Sequence, residues 1–479
     1  MRSVSDWWQD LSHPGRPWLL LGKGPSLDRE PLPDADAYHR LTLNHAVTRM
    51  PVLAASVVDL QVLDDCGLAI RDNARFLLMP RHPHRDFKPT PEPLEHWFGQ
   101  YPLLAGMAAE GRLIWYNFFN APAHPGAPVV SRGRFSAEVM VNLLTLLGVR
   151  SIRTLGVDGG ADYAAGFDEA HRLANRHRSF DVQWQGISRR VRRYGVDFAP
   201  LGTETPIRVF IGTDASQRLG ARVLDYSLQR HTPTRVVCDT MDRVHPPTPR
   251  DPANQARTEF SFKRFAIPRL AGYRGRAVYL DADMLVLRNF LALWTLPFDG
   301  ATVLHAASSD PGRPPQFSVM LLDCENLHWD LDGIVAGLDR GDYDYAGLMK
   351  QLCIEPTAKV RPAIPTHWNS LEEYRPGETG LIHYTDMRTQ PWVHGRNPHG
   401  DLWVGYLRDA LEAGFIAWAE VEQAIRDGFV RPSLRGQLRL GRRYWGFYQA
   451  SLGRLLDGRF RPHRALRKRF RATRVSSSD

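Results

Sequence analysis

The sequence has few cysteines, no long apolar run and no low-complexity tract. Its 479 residues include four cysteines, none in a Cys-x-x-Cys pair, so we expect neither a disulfide framework nor a zinc site. No stretch approaches the roughly 18 continuous apolar residues of a membrane span, and the first residues lack the basic and apolar segments of a secretory signal. These absences predict a cytoplasmic protein with buried or incidental thiols.

Strand patterns alternate with helical patterns in both halves of the chain. Each half opens with an apolar strand that runs into a glycine-containing turn, WLLLGKGPSLDR in the first and RVFIGTDASQ in the second. Such alternation predicts parallel sheets, which bind ligands outside the carboxyl ends of their strands. We predict an α/β fold class with two Rossmann-like α/β domains in series, at 1–200 and 206–430, and a basic C-terminal helical tail at 431–479.

The positive charge of the chain is concentrated in this tail. Residues 431–479 contain fourteen Arg and Lys and two Asp, so their net charge of 14 − 2 = +12 exceeds the +9 of the whole chain. Large apolar residues are interleaved with the basic ones, a pattern that suits the surface of an anionic membrane. A solvated basic terminus is the plain alternative. Nucleic-acid binding is not expected, because no recognition motif accompanies the charge.

A glycine-rich turn in the first half has the features of an anion site. Gly22, Gly24 and Ser26 follow an apolar strand and precede a predicted helix. Glycines allow close approach of a phosphate, and a helix N-terminus presents free N–H donors. The third glycine of the dinucleotide fingerprint is missing, so the turn alone is a weak signal.

The first half resembles a known family in the order of its motifs. GKGPSL, LNHAV, SAEVMVNLLTLLG and IRTLGVDGGADY, within about 1–180, are similar to the nucleotide-binding domain of family-42 sialyltransferases and related motility accessory factors. The resemblance implies a nucleotide-sugar pocket lined by Gly22, Gly24, Ser26, Asn44 and Asp158. A scaffold without catalysis remains the alternative, because His171 lies in an Ala/Arg-rich helical pattern where a surface role fits equally well.

Asp-x-Asp spacing occurs four times, and its context separates the copies. The pairs are Asp34/Asp36, Asp281/Asp283, Asp330/Asp332 and Asp342/Asp344. Only Asp281 and Asp283 follow an apolar strand pattern and precede another apolar run. This context predicts two carboxylates at the carboxyl edge of a sheet, on one face, whereas the other pairs fit loops, helix caps or solvated surface.

Two carboxylates at a sheet edge suit a divalent cation that also binds a diphosphate. Oxygen ligands favour Mg²⁺ or Mn²⁺, which commonly bind one or two carboxylates together with phosphate oxygens. Such a cation neutralises the charge that develops on a departing nucleotide diphosphate. His383, in the strand-like LIHY segment, is the best candidate for a third ligand.

The second half, over about 206–410, resembles the family-8 retaining glycosyltransferases of the GT-A fold. The similarity lies in SFKRFAIPRLAGYRGRAVYLDADMLVLRNF, QFSVMLLDCENL, THWNSL and IHYTDMRTQPW, which occur in the family's order. It implies that Asp281 and Asp283 are catalytic metal ligands, that His383 is the third ligand, and that Arg264 contacts the nucleotide sugar. It further implies nucleotide contacts from Thr213 and Asp214 and acceptor-side contacts from Trp368 and Asn369.

One segment departs from the family pattern. The family has a lysine before Pro-Trp that binds the diphosphate, and here Gln390 occupies that substrate-binding position. Asp386 replaces a glycine, and the segment is one residue longer. A neutral amide cannot supply the lysine's charge, so Arg388 is the expected substitute.

Together these patterns predict a Mn²⁺- or Mg²⁺-dependent glycosyltransferase. The predicted donor is a nucleotide-diphosphate sugar, most simply a UDP-sugar, and the predicted acceptor is a bacterial cell-surface polysaccharide, lipopolysaccharide or glycolipid. The tail would place the enzyme on the inner face of the bacterial inner membrane, and the first domain would add a second nucleotide-sugar site. The alternatives are a non-catalytic nucleotide- or glycan-binding protein built on decayed transferase domains and a metal-dependent phosphohydrolase.

Overall fold

The computed structural model describes residues 1–131, 133–167, 179–258, 260–307, 317–440, 453–458 and 460. The chain divides into two compact units. Unit 1 comprises Met1–Thr205 with Thr232–Arg235, and unit 2 comprises Pro206–His231 with Val236–Asp479. Each unit is built on a sheet flanked by helices, so the predicted α/β fold class with two Rossmann-like domains is confirmed.

Unit 1 has a large sheet in which all the pairings are parallel. Its strands are β1 Arg2–Ser3, β2 Trp18–Leu21, β3 His39–Leu43, β4 Val52–Ser56, β5 Ala74–Pro80, β8 Leu113–Phe118, β9 Val129–Val130, β10 Ser151–Leu155 and β11 Asp197–Pro200, and a small hairpin is formed by β6 His84–Arg85 and β7 Lys88–Pro89. The order is β1-β8-β5-β4-β3-β2-β10-β11, with β9 beside β8.

Helices of unit 1 cover both faces of this sheet. They are α1 Val4–Gln9, α2 Gln61–Asn73, α3 Pro102–Ala109, α4 Ser136–Leu146 and α5 Gln183–Tyr194. Successive residues of β2 enter different cores, since Trp18 and Leu20 pack with α4 and α5 while Leu19 and Leu21 pack with α2 and α3. Burial on both faces explains why β2 reads as an unbroken apolar run.

The order in which the chain adds strands to the sheet reverses between β2 and β10, although the two strands are parallel. From β2 it proceeds through β3, β4 and β5 to one side, and from β10 to β11 on the other. Gly22 and Gly156, which follow these two strands, pack against each other, and a Cβ on Gly22 would lie 2.2 Å from the Gly156 carbonyl oxygen. Doubly wound sheets bind ligands at such a switch point, so this edge is where a site is expected.

Unit 2 has a mixed six-stranded sheet and a small three-stranded one. The strands are β12 Ile207–Gly212, β13 Val236–Asp239, β14 Arg276–Asp281, β15 Met284–Val286, β16 Val303–Ala306, β17 Val319–Asp323, β18 Val360–Ile364, β19 Ser370–Leu371 and β20 Leu381–His383. The larger sheet has the order β13-β12-β14-β17-β16-β18, and the smaller has β15-β20-β19. β12, β13 and β14 are parallel, whereas β17 is antiparallel to both of its neighbours.

Three hydrophobic cores hold unit 2 together. Its helices are α6 Arg218–His231, α7 Ile267–Leu270, α8 Leu291–Trp294, α9 Leu331–Arg340, α10 Gly400–Glu412, α11 Trp418–Arg426 and α12 Arg454–Asp457. α6 and α8 pack on one face of the larger sheet and α9 on the other, and α10 with α11 packs against β15 and β20. Among the described residues, no helix is both long and apolar enough to cross a membrane.

The predicted tail begins with residues that are part of the unit 2 core. Arg431 is 1% exposed, and its Nε donates to the Pro391 carbonyl oxygen at 3.0 Å. Its Nη1 donates to Ser433 Oγ at 2.6 Å, and Ser433 Oγ donates to Asp457 Oδ2 at 2.6 Å. Burial lowers the pKa of Arg431 to about 10. The charge of Arg431 is therefore not available to a membrane, and residues 441–452, 459 and 461–479 lie outside the described residues.

We expect Arg431→Met to destabilise unit 2. The change leaves the Pro391 carbonyl and the Ser433 and Gln437 side chains without their buried donor, which should cost on the order of 2–4 kcal/mol. Urea unfolding followed by tryptophan fluorescence measures the loss. Arg435→Met is the control, because its pair with Glu422 is partly exposed and should contribute about 1 kcal/mol or less. Equal losses in the two variants would contradict the role given to Arg431.

Candidate metal centre and a cavity in unit 1

β14 carries the second Asp-Ala-Asp motif to the edge of the larger sheet. Its residues alternate between two cores, with Val278 and Leu280 on one face and Tyr279 on the other. Asp281 is the last residue of the strand, and Asp283 lies in the tight turn that leads into β15. The predicted strand before the motif is confirmed, but a turn and not strand alternation positions Asp283.

The pairing of β15 with β20 brings His383 to this turn. The two strands are antiparallel, and Met284 is opposite His383. The Tyr384 backbone N–H donates to the Asp283 carbonyl oxygen at 2.8 Å, which continues the ladder into the turn. A residue one hundred positions away is thus fixed beside the two aspartates.

Asp281, Asp283 and His383 form a compact set of possible metal ligands. One ligand atom from each lies within 4.8 Å of the others. His383 Nε2 is 3.1 Å from Asp283 Oδ1, yet this buried oxygen has no hydrogen-bond partner among the described residues. Two ligand atoms that face each other without a hydrogen bond are arranged as they would be around a cation, so the residues present fit a divalent metal.

Hydrogen bonds orient two of these ligands. His383 Nδ1 is 2.9 Å from Asn369 Oδ1, and because an amide oxygen only accepts, Nδ1 carries the proton and Nε2 presents its lone pair in the neutral ring. Gln390 Nε2 donates to Asp283 Oδ2 at 3.0 Å and to the Tyr384 carbonyl at 3.1 Å. The structure therefore places Asn369 and the buried Gln390 against metal-site side chains, where the sequence predicted contacts with substrate.

Arg264 supports Asp281 through Tyr279. Arg264 Nη2 donates to Tyr279 Oη at 3.0 Å, and Tyr279 Oη donates to Asp281 Oδ1 at 2.6 Å. The remaining bonds of the guanidinium are from Nε to the Ser261 carbonyl at 3.1 Å and from Nη1 to the Phe317 carbonyl at 2.8 Å. Arg264 is 8% exposed and makes these bonds inside the protein, and its predicted contact with a nucleotide sugar stays a prediction.

The buried charges of the site perturb each other. Burial raises the pKa of Asp281, and Asp283 raises it further, while Arg264 opposes the shift. Burial disfavours the charged form of His383, but the facing carboxylates of Asp283 and Asp281 outweigh it and raise the pKa of the imidazole. Two carboxylates in a low-dielectric site repel each other, and a divalent cation between them would relieve that repulsion.

The other residues predicted for unit 2 are divided between the site and the core. Thr213 and Asp214 follow β12, whose Gly212 is opposite Asp281, so they lie at the adjacent strand end. Their contact with a nucleotide stays a prediction. Trp368 is 2% exposed and packs edge-to-face on Phe290, and its contact with an acceptor stays a prediction.

The remaining Asp-x-Asp pairs have structural roles, as predicted. Asp36 is fully exposed in a turn. Asp330 caps α9 by accepting from the Gly333 N–H at 3.1 Å, and Asp344 accepts from the Gly347 N–H at 2.7 Å. Asp342 forms an exposed ion pair with Arg340.

Unit 1 contains a cavity of about 590 Å³ at its switch point. Four of the five residues predicted there, Gly22, Gly24, Asn44 and Asp158, line it. Ser26 lies behind the wall, where its N–H donates to Asp158 Oδ2 at 2.8 Å and its Oγ accepts from the Gly156 N–H at 2.7 Å. Ser26 therefore supports the lining and does not form it.

The glycine turn of unit 1 does not offer the predicted anion donors. Gly22 N–H donates to the Leu155 carbonyl at 2.8 Å and Gly24 N–H to the Gly156 carbonyl at 2.7 Å. The segment after them, Pro25–Asp28, is a four-residue 3₁₀ turn and not an α-helix. The glycines are needed for close packing of two loops, and it is α4 that begins at the cavity. His171, the uncertain catalytic candidate, lies outside the described residues.

Sequence reasoning missed one supporting residue of the candidate metal site, Tyr279, and did not find the contact that a second one, Asn369, makes with His383. Tyr279 precedes Asp281 by two positions, and strand periodicity alone would have placed both side chains on one face. Asn369 was identified, but its partner depends on β19 pairing with β20, which has no local signal in the sequence.

No protein-family model matches the chain. Protein CDI of Arabidopsis thaliana is 29% identical over 103 residues, which amount to 21% of this chain and 40% of that protein. The match thus spans less than half the length of Protein CDI.

Similar solved structures include several glycosyltransferases. The bifunctional glycosyltransferase WbbM has a TM-score of 0.33 at 12% identity, over 45% of this chain and 52% of that one. The galactosyltransferase LgtC, in complex with donor and acceptor sugar analogues, has a TM-score of 0.30 at 12% identity, over 42% of this chain and 95% of that one. GlyE of Streptococcus pneumoniae has a TM-score of 0.32 at 14% identity, over 44% and 64%. The chemistry of the present site has to be argued from its own residues.

We expect Asn369→Ala to weaken metal binding more than it weakens the fold. Without the acceptor at Nδ1, the His383 ring can rotate and change tautomer, which should lower Mn²⁺ affinity about 10–100-fold. Calorimetric titration with Mn²⁺ measures the change. Asn326→Ala is the control, since Asn326 makes an exposed bond to Asp323, and it should leave the affinity unchanged. Wild-type affinity in Asn369→Ala would show that His383 needs no such support.

Proposed function

We propose that unit 2 is a metal-dependent glycosyltransferase that uses a nucleotide-diphosphate sugar. The observation that carries this proposal is the convergence of Asp281, Asp283 and His383 within 4.8 Å at the carboxyl edge of β14. The two carboxylates suit Mn²⁺ or Mg²⁺, which bind carboxylates together with diphosphate oxygens. We further propose that this unit has the GT-A arrangement of family-8 retaining enzymes.

The bound cation would neutralise the charge on the departing nucleotide diphosphate. Asp281, Asp283 and His383 would hold this cation. Tyr279 and Gln390 each donate to one of these carboxylates, so the carboxylates keep their orientation without reorganisation. Such preorganisation is the contribution that the protein itself makes to catalysis.

The diphosphate needs a positively charged side chain, and the neutral amide of Gln390 does not supply one. Gln390 is buried with its amide directed at Asp283, whereas Arg388 is exposed on the same turn. We propose that Arg388 contacts the diphosphate and that Thr213 and Asp214 contact the nucleoside. A guanidinium suits this role because it donates two parallel hydrogen bonds to phosphate.

The finer assignments follow from the sequence patterns and are proposals. A UDP-sugar is the proposed donor, and a bacterial cell-surface polysaccharide, lipopolysaccharide or glycolipid is the proposed acceptor. Retention of anomeric configuration is part of the proposed kinship with family 8. The basic residues after Leu440 are the proposed contact with the anionic inner face of the bacterial inner membrane.

We expect Asp283→Asn to abolish turnover by unit 2. The amide removes one charged ligand, so the metal-dependent release of nucleotide from the best donor in a panel of nucleotide sugars with Mn²⁺ should fall by on the order of 10²–10³-fold or more. Coupled detection of the released nucleotide measures the rate with and without a chelator, and the difference between the two is the metal-dependent rate. Asp342→Asn, at an exposed Asp-x-Asp site, is the control.

Three results would contradict the transferase proposed for unit 2. Binding of nucleotide without metal-dependent turnover would favour a non-catalytic binding protein. Nucleotide hydrolysis without transfer to any glycan would favour a phosphohydrolase. Full activity in Asp283→Asn would place the reaction elsewhere in the chain.

We propose that the cavity of unit 1 binds a second nucleotide sugar, which would make the chain bifunctional. The supporting observation is its position at the switch point of a parallel sheet. Lys23 and Arg134 provide positive charge in its lining, and Tyr163 and Phe180 provide aromatic surface. Burial lowers the pKa of Lys23 to about 8, so its ammonium stays mostly protonated at neutral pH.

We expect Asn44→Ala to weaken nucleotide binding to unit 1. Asn44 lines the cavity, its Nδ2 donates to Ser136 Oγ at 3.1 Å, and its Oδ1 has no hydrogen-bond partner among the described residues. CMP, UDP, GDP and dTDP are tested in the presence of a chelator. Loss of one hydrogen bond to the nucleotide should raise the Kd of whichever one binds about 5–10-fold. Calorimetry measures Kd, and Asn326→Ala serves as the control. An unchanged Kd would place the nucleotide outside this cavity.

A further inference from the structure

One end of the unit 1 cavity is formed by Asp59 and His84. Asp59 follows β4, and His84 begins the β6–β7 hairpin. The hairpin is joined to the loop after β4 by two backbone hydrogen bonds of 2.8 Å, from Leu60 N–H to the His84 carbonyl and from His84 N–H to the Val58 carbonyl. Asp59 and His84 both line the cavity.

Asp59 and His84 lie at the same edge of the sheet as the glycine turn, on the side of β4. β4, β3, β2 and β10 are successive neighbours in the sheet, and they lead into Asp59, Asn44, Gly22 and Gly156 respectively. Because neighbouring strands are about 4.8 Å apart, β4 lies about 10 Å from β2 and about 14 Å from β10. A ligand of the length of a nucleotide sugar can therefore reach from the switch point to Asp59.

Two polar atoms at this end of the cavity have no hydrogen-bond partner among the described residues. They are Asp59 Oδ1 and His84 Nε2, which have almost no accessible surface and do not face the open cavity. The Asp59 side chain as a whole is only half-buried where it lines the cavity, so its carboxylate can be reached by a ligand there.

The protonation states of the two side chains complement each other. Burial raises the pKa of Asp59 to about 6, and Asp86 adds to the shift while a hydrogen bond from the Phe87 N–H opposes it. Burial lowers the pKa of His84 to about 4. At neutral pH Asp59 is therefore mostly ionised and His84 is neutral. The other titratable or charged side chains that line the cavity are Lys23, Arg134, Asp158, Asp162 and Tyr163.

We propose that Asp59 is the general base of a second group-transfer reaction, catalysed in the cavity of unit 1. This inference rests on the proposed binding of a nucleotide sugar there. The Asp59 carboxylate accepts the proton of an acceptor hydroxyl as the hydroxyl oxygen bonds to the anomeric carbon. The bond from that carbon to the phosphate oxygen breaks, and its electron pair leaves with the nucleotide.

The test isolates unit 1 in an Asp283→Asn background with a chelator present. Nucleotide sugars are supplied with water as the acceptor, and nucleotide release is followed. We expect turnover that rises with pH through about 6 and then levels, because only the ionised carboxylate accepts a proton. Asp59→Asn should lower kcat about 10²–10⁴-fold and remove this pH dependence, while the Kd for the free nucleotide changes by less than about threefold.

Two further variants separate catalysis from folding. Asp59→Glu keeps the carboxylate and should restore part of the rate, and Asp34→Asn alters an exposed aspartate of unit 1 and should have no effect. The folded state raises the pKa of Asp59 above its unfolded value, so its stabilising effect is present below about pH 4 and is lost as the pH rises through 6. The Tm of Asp59→Asn should therefore exceed that of the wild type at pH 8, by an amount that shrinks toward pH 4.

The outcomes distinguish the two levels of the proposal. If a nucleotide binds but the Asp283→Asn background has no turnover, or if Asp59→Asn retains its rate, the catalytic role of Asp59 is refuted and the binding site remains. If no nucleotide binds to unit 1, both proposals fail. Loss of turnover with unchanged nucleotide affinity and loss of the pH limb would establish Asp59 as the base.

Discussion

The pairing register of β15 and β20 is the constraint on which the candidate metal site depends. It places Met284 opposite His383 and continues through the bond from Tyr384 to the Asp283 carbonyl. Because side chains alternate along a strand, a shift of one residue would turn His383 away from the aspartates. The short strands cannot hold this register alone, and the core formed with α10 and α11 supplies the remaining stability.

Local sequence patterns predicted the features of the site that depend on a single strand or turn. The apolar strand before Asp281 singled out the Asp-x-Asp pair that lies beside His383, and His383 was chosen correctly as its neighbour. Side-chain partners were less accessible, because Arg264 and Gln390 are used inside the protein through contacts made only in the folded chain. An arginine or an amide in a ligand-binding motif can bind substrate or position another residue, and only the packing around it decides between them.

Unit 1 shows the same limitation in a different form. Gly22 and Gly24 mark the correct sheet edge, but their N–H groups are occupied by Leu155 and Gly156. A glycine signal therefore located the cavity for a reason other than phosphate binding, namely the close approach of two loops. Asp59 had no motif around it, because only the folded chain shows that it lines the cavity and that burial raises its pKa.

The supports of the metal site also have an order along the chain. Asp281 and Asp283 are synthesised first, His383 follows a hundred residues later, and Arg431 later still, where it holds the carbonyl of Pro391 beside Gln390. A nascent chain therefore contains Asp281, Asp283 and His383 before it contains Arg431, which fixes the backbone beside Gln390. A fragment that ends before Arg431 would have the three candidate ligands but would hold them less rigidly. Its affinity for a metal should therefore be lower than that of a chain that includes Arg431.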